Sequence, residues 1–165
     1  MSIKRDLLKD KLLNSKSFNT VFIVREDEER VRQEQMEILI ELLCDERHKA
    51  GKGEVYNFLK KEKKAVDLLI KAISEAKGDK RTLIAACWEA DLDCDRYVSF
   101  FTDIVLNDNL AIAIEAFTTI EHMRSISAGE AEMLLEKVRE APKQTDHAKD
   151  AIINDLVEVL RKWDK

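Results

Sequence analysis

A single proline, Pro142, and four glycines are all that punctuate 165 residues. That scarcity limits what the chain can build. Sheet proteins turn every few residues, and their turns draw on Gly, Pro and Asn for backbone angles that other residues resist. The glycine-rich phosphate loops of nucleotide-binding α/β folds are disfavoured on the same ground. Long helices joined by short loops remain, and the expected class is all-α. With 45% hydrophobic and 37% charged residues, the chain is too polar for a membrane protein and too apolar for disorder. One compact all-helical domain over residues 1–165 is expected, long enough to bury roughly 70% of the surface its unfolded chain would expose.

Apolar residues recur at helical spacing along nearly the whole chain. Ile3, Leu7, Leu8 and Leu12 predict a short first helix, ended by Asn14-Ser15-Lys16-Ser17. The run from Val21 to Val24 has no partner strand elsewhere and reads as a buried connector or a helix start. From Asp27, the stripe Val31, Gln35, Ile38, Leu39 and Leu42 predicts a second helix, with Glu28, Glu29, Arg30, Glu34, Glu37 and Glu41 off it. Glu54 to Lys77 carries two stripes across the lysine-rich Lys60 to Lys64, which fits one long helix or two abutting ones, with Gly78 as the stop.

Asp79 is placed to cap a helix bearing Leu83, Ile84, Cys87 and Trp88, and Asp95 to cap one bearing Tyr97, Phe100, Phe101, Ile104 and Val105. Beyond Asn107-Asp108-Asn109, the residues Ile112, Ala113, Ala116, Phe117 and Ile120 define another helix. Ser127 with Glu130 has capping-box spacing ahead of Met133, Leu134, Leu135 and Val138, and Pro142 closes that segment. A last helix from about Asp146 presents Ile152, Leu156, Val159, Leu160 and Trp163.

The charge balance, 28 Lys and Arg against 33 Asp and Glu, gives a net of −5 and no global attraction for nucleic acid or anionic lipid. No stretch approaches the twenty or so apolar residues of a bilayer span, and Met1 to Leu13 lacks the uninterrupted apolar run of a secretory signal. Cys44, Cys87 and Cys94 are odd in number and lie within or beside apolar stretches, which suits reduced thiols buried as small hydrophobes in a cytoplasmic protein.

Residue types that carry chemistry do not assemble into a catalytic pattern. Asp91, Asp93 and Asp95 alternate like the start of a calcium loop, but Arg96 and Thr102 stand where such a loop needs a glycine and a bidentate Glu. An interhelical turn is the expected reading. His48, His122 and His147 are scattered, and none follows a Glu at the spacing of helical di-iron or zinc-peptidase sites. Cys87 and Cys94 are seven residues apart, which is not the gap of a zinc knuckle or redox pair. No serine or cysteine sits in the glycine turn that presents a nucleophile. No catalytic, metal or cofactor residue is therefore assigned.

Five of the ten aromatic side chains, Trp88, Tyr97, Phe100, Phe101 and Phe117, fall within thirty residues. Their spacing is that of a buried helical face, while Phe100 and Phe101 cannot point the same way. Trp88 or Tyr97 at the edge of this stripe is a candidate hot spot for a partner, with Arg96, Thr102 and Asp103 as flanking polar contacts. Lys60, Lys61, Lys63 and Lys64 read as a solvated helix face interrupted by Glu62.

A faint repeat runs through the middle of the chain. Asp79 to Asp91 aligns with Asp108 to Ile120, matching Leu83 with Ile112, Cys87 with Ala116, and Trp88 with Phe117, and the helices that follow align Phe100 with Leu134 and Ile104 with Val138. On these residues, and on Asp108-Asn109-Leu110-Ala111-Ile112-Ala113-Ile114-Glu115-Ala116-Phe117, the chain resembles a small HEAT or armadillo-type α-solenoid, most clearly over 79–141. It departs from the HEAT pattern in having Ala113 at the expected arginine and no early proline. The resemblance implies a right-handed α-α superhelix of stacked antiparallel helix pairs, and an up-and-down bundle is the alternative. It further implies a non-catalytic scaffold that holds a protein or peptide on a helical-repeat surface. The competing expectations are a nucleic-acid-binding or nucleic-acid-modifying HEAT-like protein, and a small-molecule binder or enzyme with a pocket between helices. Oligomeric state is not read from the sequence.

Overall fold

The helical spacing becomes eight α-helices, with no strand among the described residues, in a computed structural model that describes residues 28–45, 52–142 and 146–164. The helix expected over 3–12, the connector at 18–24 and the loop around His48 lie outside the described residues. The helices are α1 (Glu28–Leu43), α2 (Lys52–Lys61), α3 (Ala65–Glu75), α4 (Arg81–Glu89), α5 (Val98–Asn107), α6 (Leu110–Glu121), α7 (Ala128–Glu140) and α8 (His147–Trp163). A 3₁₀ turn, Asp95–Tyr97, leads into α5. No described helix is long and apolar enough to cross a membrane.

Glu54 to Lys77 resolves into two abutting helices. Between them Glu62 N–H bonds to the Leu59 carbonyl at 3.1 Å, and Ala65 N–H bonds to that of Glu62 at 3.0 Å, so the lysine-rich stretch makes a turn. Three starts carry side-chain caps that satisfy otherwise orphaned amides. The Asn109 side chain accepts from Ile112 N–H, Ser127 Oγ from Glu130 N–H, and Asp146 from Ala148 N–H. Asp79, the expected cap, sits one position outside the observed N-cap, Lys80, and accepts from Arg81 N–H. Asp95 does not cap α5. It opens the 3₁₀ turn, and its carboxylate accepts instead from Arg124 N–H at 3.0 Å, a donor from a distant loop that outcompetes the local one.

One apolar cluster runs from α1 to α8, with Phe101, Ile38, Leu39, Leu69, Ile84, Ile120, Leu134 and Leu156 fully enclosed. Phe100 is half-buried and meets Phe101 edge-on at 5.4 Å. The matched positions of the repeat share environments. Leu83 and Ile112 are both buried, as are Cys87 and Ala116, while Trp88 and Phe117 are both half-buried. The pairing differs from that reading, because the tightest packing of consecutive helices is α5 on α6 and α7 on α8. Asp108 and Asn109 alone connect α5 to α6, so those two must fold back on each other, whereas Ala90 to Tyr97 separate α4 from α5. Hairpins are therefore one element out of phase with the repeat. Across hairpins, α4 packs on α6 and α6 on α8, while α1 contacts α2, α3 and α4.

The α5–α6 turn is clamped from two sides. Lys80 Nζ lies 3.0 Å from the Asp108 carboxylate, and Lys149 Nζ, on the first turn of α8, donates to the Asp108 carbonyl. Lys149 is only 8% exposed. Its stem packs inside while its charge meets the exposed negative end of α5, where a cation is favoured.

Candidate functional site

The segment from Ala90 to Tyr97 collects most of the residues singled out in the sequence. α4 ends at Ala90, and Asp91 takes a left-handed backbone conformation, φ 50°, which Asp tolerates better than most residues. This reverses the chain and aims the aspartates outward. The Asp91 carboxylate accepts from Lys60 Nζ at 2.6 Å and from Arg124 Nη2 at 2.9 Å, and these two hydrogen bonds hold it below the usual carboxylate range. Asp93 accepts from Asp95 N–H at 3.4 Å, and Asp95 from Arg124 N–H. The three aspartates thus build a turn that docks α2 and the α6–α7 connection. No group of three or more His, Cys, Asp or Glu side chains among the described residues is placed to hold a metal ion.

Arg96, exposed, and Tyr97, half-buried against the core, form the corner of this turn. The guanidinium lies 5.1 Å from the Tyr97 ring centroid, and both Arg96 Nη2 and Tyr97 Oη donate to one Asp67 oxygen on α3. The hydrogen bond to Asp67 is the main reason the Tyr97 phenol is raised, with burial second. Beside this corner runs a groove of about 570 Å³ between α2, α3 and the turn. Leu59, Val66 and Leu92 supply apolar lining, and Lys60, Glu62, Lys63, Asp93, Asp95, Arg96 and Ser125 supply charged and polar groups.

The remaining expected contact residues are elsewhere. Thr102 is fully buried, 0% exposed, because it falls on the inner face of α5, and it belongs to no surface. Asp103 is on the outer side of α5 and pairs with Lys137 of α7 at 2.6 Å. Trp88 is half-buried and committed to α6, its Nε1 donating to Glu115 at 3.1 Å and its ring 5.4 Å from His122. Of the five, the structure brings together Arg96 and Tyr97 only. His122 Nδ1 donates to the Thr118 carbonyl at 2.8 Å, so that ring nitrogen is used by its own helix.

Sequence reasoning missed Asp67, Lys60, Asp91 and Arg124 as parts of one surface. Their partners lie 29 to 33 residues away, a spacing with no periodic signature. It also missed Tyr56, whose hydroxyl donates to Glu89 at 2.5 Å and whose phenol is pushed up by burial and then by that carboxylate. Cys87 and Cys94 are both buried. The Cys87 thiol is held well above its ordinary range by its hydrogen bond with Cys94 and then by burial. Cys44, expected to be buried with them, is instead exposed, because it lies just past the end of α1, and its thiol is raised by partial burial and by Asp79. The chain matches no protein-family model, no curated protein and no solved structure.

Proposed function

We propose that this protein is a non-catalytic interaction module that holds a protein segment in the groove beside Arg96 and Tyr97. The observation that carries this reading is the groove itself, an apolar lining of Leu59, Val66 and Leu92 edged by both signs of charge, among them Arg96, whose guanidinium lies over the neighbouring Tyr97 ring. Arg and Tyr are among the residue types that most often anchor protein interfaces, and apolar lining edged by charge follows the interface pattern of dry centre and polar rim. The architecture proposed with it is a short right-handed stack of helix pairs, α5–α6 and α7–α8 among them. The succession of α4 on α6 on α8 supports it.

A phosphate backbone is the less favoured partner. Lys60, Arg96 and Arg124 each already face an aspartate, so this surface offers little unneutralised positive charge. The test is an affinity pull-down from lysate with and without nuclease, comparing the parent chain with an Arg96→Ala/Tyr97→Ala variant. A nuclease-resistant protein is expected on the parent and reduced about tenfold or more on the variant, at unchanged helical content. Retention that vanishes with nuclease, or that is equal for both chains, overturns the proposal.

A further inference from the structure

Cys87 and Cys94 are seven residues apart in sequence, yet the fold brings their side chains together. α4 ends in a tight reversal around the left-handed Asp91, in which Leu92 N–H bonds to the Cys87 carbonyl at 3.0 Å and Asp91 N–H to that of Trp88 at 3.0 Å. The chain thereby doubles back on the last turn of α4. At Cys94, two residues past Leu92, the carbonyl accepts from Tyr97 N–H at 2.8 Å. Both cysteine side chains enter the apolar cluster, 1% and 2% exposed, and the two thiols are hydrogen-bonded to each other. We propose that Cys87 and Cys94 are a latent disulfide pair, a redox-sensitive latch that fastens the turn from Ala90 to Tyr97 onto α4.

The order of events follows from where each sulfur sits. Cys94 belongs to the turn, whose outer side Asp91 holds through water-exposed ion pairs to Lys60 and Arg124, contacts of modest strength. Local opening of that turn takes Cys94 to solvent while Cys87 stays on its helix. The Cys94 thiolate then attacks a small disulfide, glutathione disulfide being the co-reactant, and one glutathione leaves as its thiolate. Cys87 gives its proton to solvent, its thiolate attacks Cys94 Sγ, and the second glutathione departs. The pair has lost two electrons and two protons, and one glutathione disulfide has become two thiols. The product needs no new hydrogen-bond partner, because an S–S bond is as apolar as the two small thiols already packed there. Asp93 and Asp95, on either side of Cys94, line the groove beside Arg96, so the closed latch fixes one wall of it. The inference concerns only the two sulfurs and does not depend on what occupies that groove.

The experiment uses the full chain carrying Cys44→Ser, which removes the exposed thiol so that every thiol counted belongs to the pair. The chain is equilibrated in buffers of graded glutathione to glutathione disulfide ratio, either folded or in concentrated urea. After an acid quench, mass spectrometry reads the peptide linked through Cys87 and Cys94. The folded chain is expected to favour the disulfide by about tenfold or more over the unfolded one, a difference of about 30 mV in midpoint potential. The same factor returns as stability, so the oxidised chain should unfold at higher urea than the reduced one, with unchanged helical content. An equal or smaller constant in the folded chain overturns the proposal. So does a folded chain that stops at a mixed disulfide with glutathione, or that keeps both thiols reduced where the unfolded chain is oxidised. Native-state hydrogen exchange gives a second readout, in which the amides of residues 90–97 should exchange about tenfold more slowly after oxidation. Exchange that does not slow overturns the latch. Arg96 and Tyr97 are untouched, so failure here is separate from failure of the proposed function.

Discussion

Thr102 Oγ1 is a fully buried hydroxyl with no hydrogen-bond partner, set among Phe101, Ile104 and Val105 on α5. A buried polar group left unpaired costs about 1–3 kcal/mol, whereas an apolar group of the same shape does not. Thr102→Val is therefore expected to stabilise the fold by about 1 kcal/mol, read as a rise in Tm of about 2–4 °C, while Thr102→Ser keeps the hydroxyl, loses the methyl and lowers it. Asp79 poses the opposite case, an exposed carboxylate well satisfied. Hydrogen bonds from the Arg81 side chain and backbone N–H lower its pKa from 3.8 to about 2. A depressed folded-state pKa contributes stability above the unfolded value and loses it as pH falls toward the folded one. Asp79→Asn should accordingly melt below the parent at pH 5, with the gap closing between about pH 4 and pH 2 and shrinking in high salt.

At the scale of elements, Lys149 shows how one side chain fixes the relation of three helices. Its ammonium caps the turn between α5 and α6 from the start of α8, and the site is nearly closed to water. Lys149→Met keeps the buried stem but leaves the Asp108 carbonyl without that donor. A loss of about 1–2 kcal/mol is expected in urea unfolding, with an unchanged m-value if the native packing is kept. What was legible in the sequence at this scale was whatever is encoded within one turn of chain. The stripe Leu83, Ile84 and Cys87, the Ser127 cap and the Pro142 stop all depend on neighbours three or four residues away, and all are found. Asp95 was misread as a cap because a carboxylate bonds whichever donor the tertiary fold delivers, and Arg124 N–H comes from 29 residues away. Thr102 failed as a surface contact for a related reason, since a small hydroxyl side chain fits a core as easily as a rim.

For the whole molecule, the all-helical class followed from sparse turn residues, but the phase of the hairpins did not. Two similar helices in alternation look the same whether each pairs with the element before or after it, and only the two-residue link between α5 and α6 decides. The candidate site was legible in part, as Arg96 and Tyr97 without the Asp67 that joins them. Asp91 carries a consequence for how the fold opens. Most packing here joins elements near in sequence, so α2 and the 122–127 connection would ordinarily exchange their amide hydrogens on independent schedules. One carboxylate grips Lys60 and Arg124 together, more than sixty residues apart along the chain. Asp91→Asn, which retains a side chain suited to the left-handed backbone, is expected to split their protection in native-state hydrogen exchange into two unequal openings, where the parent chain is expected to open both regions together.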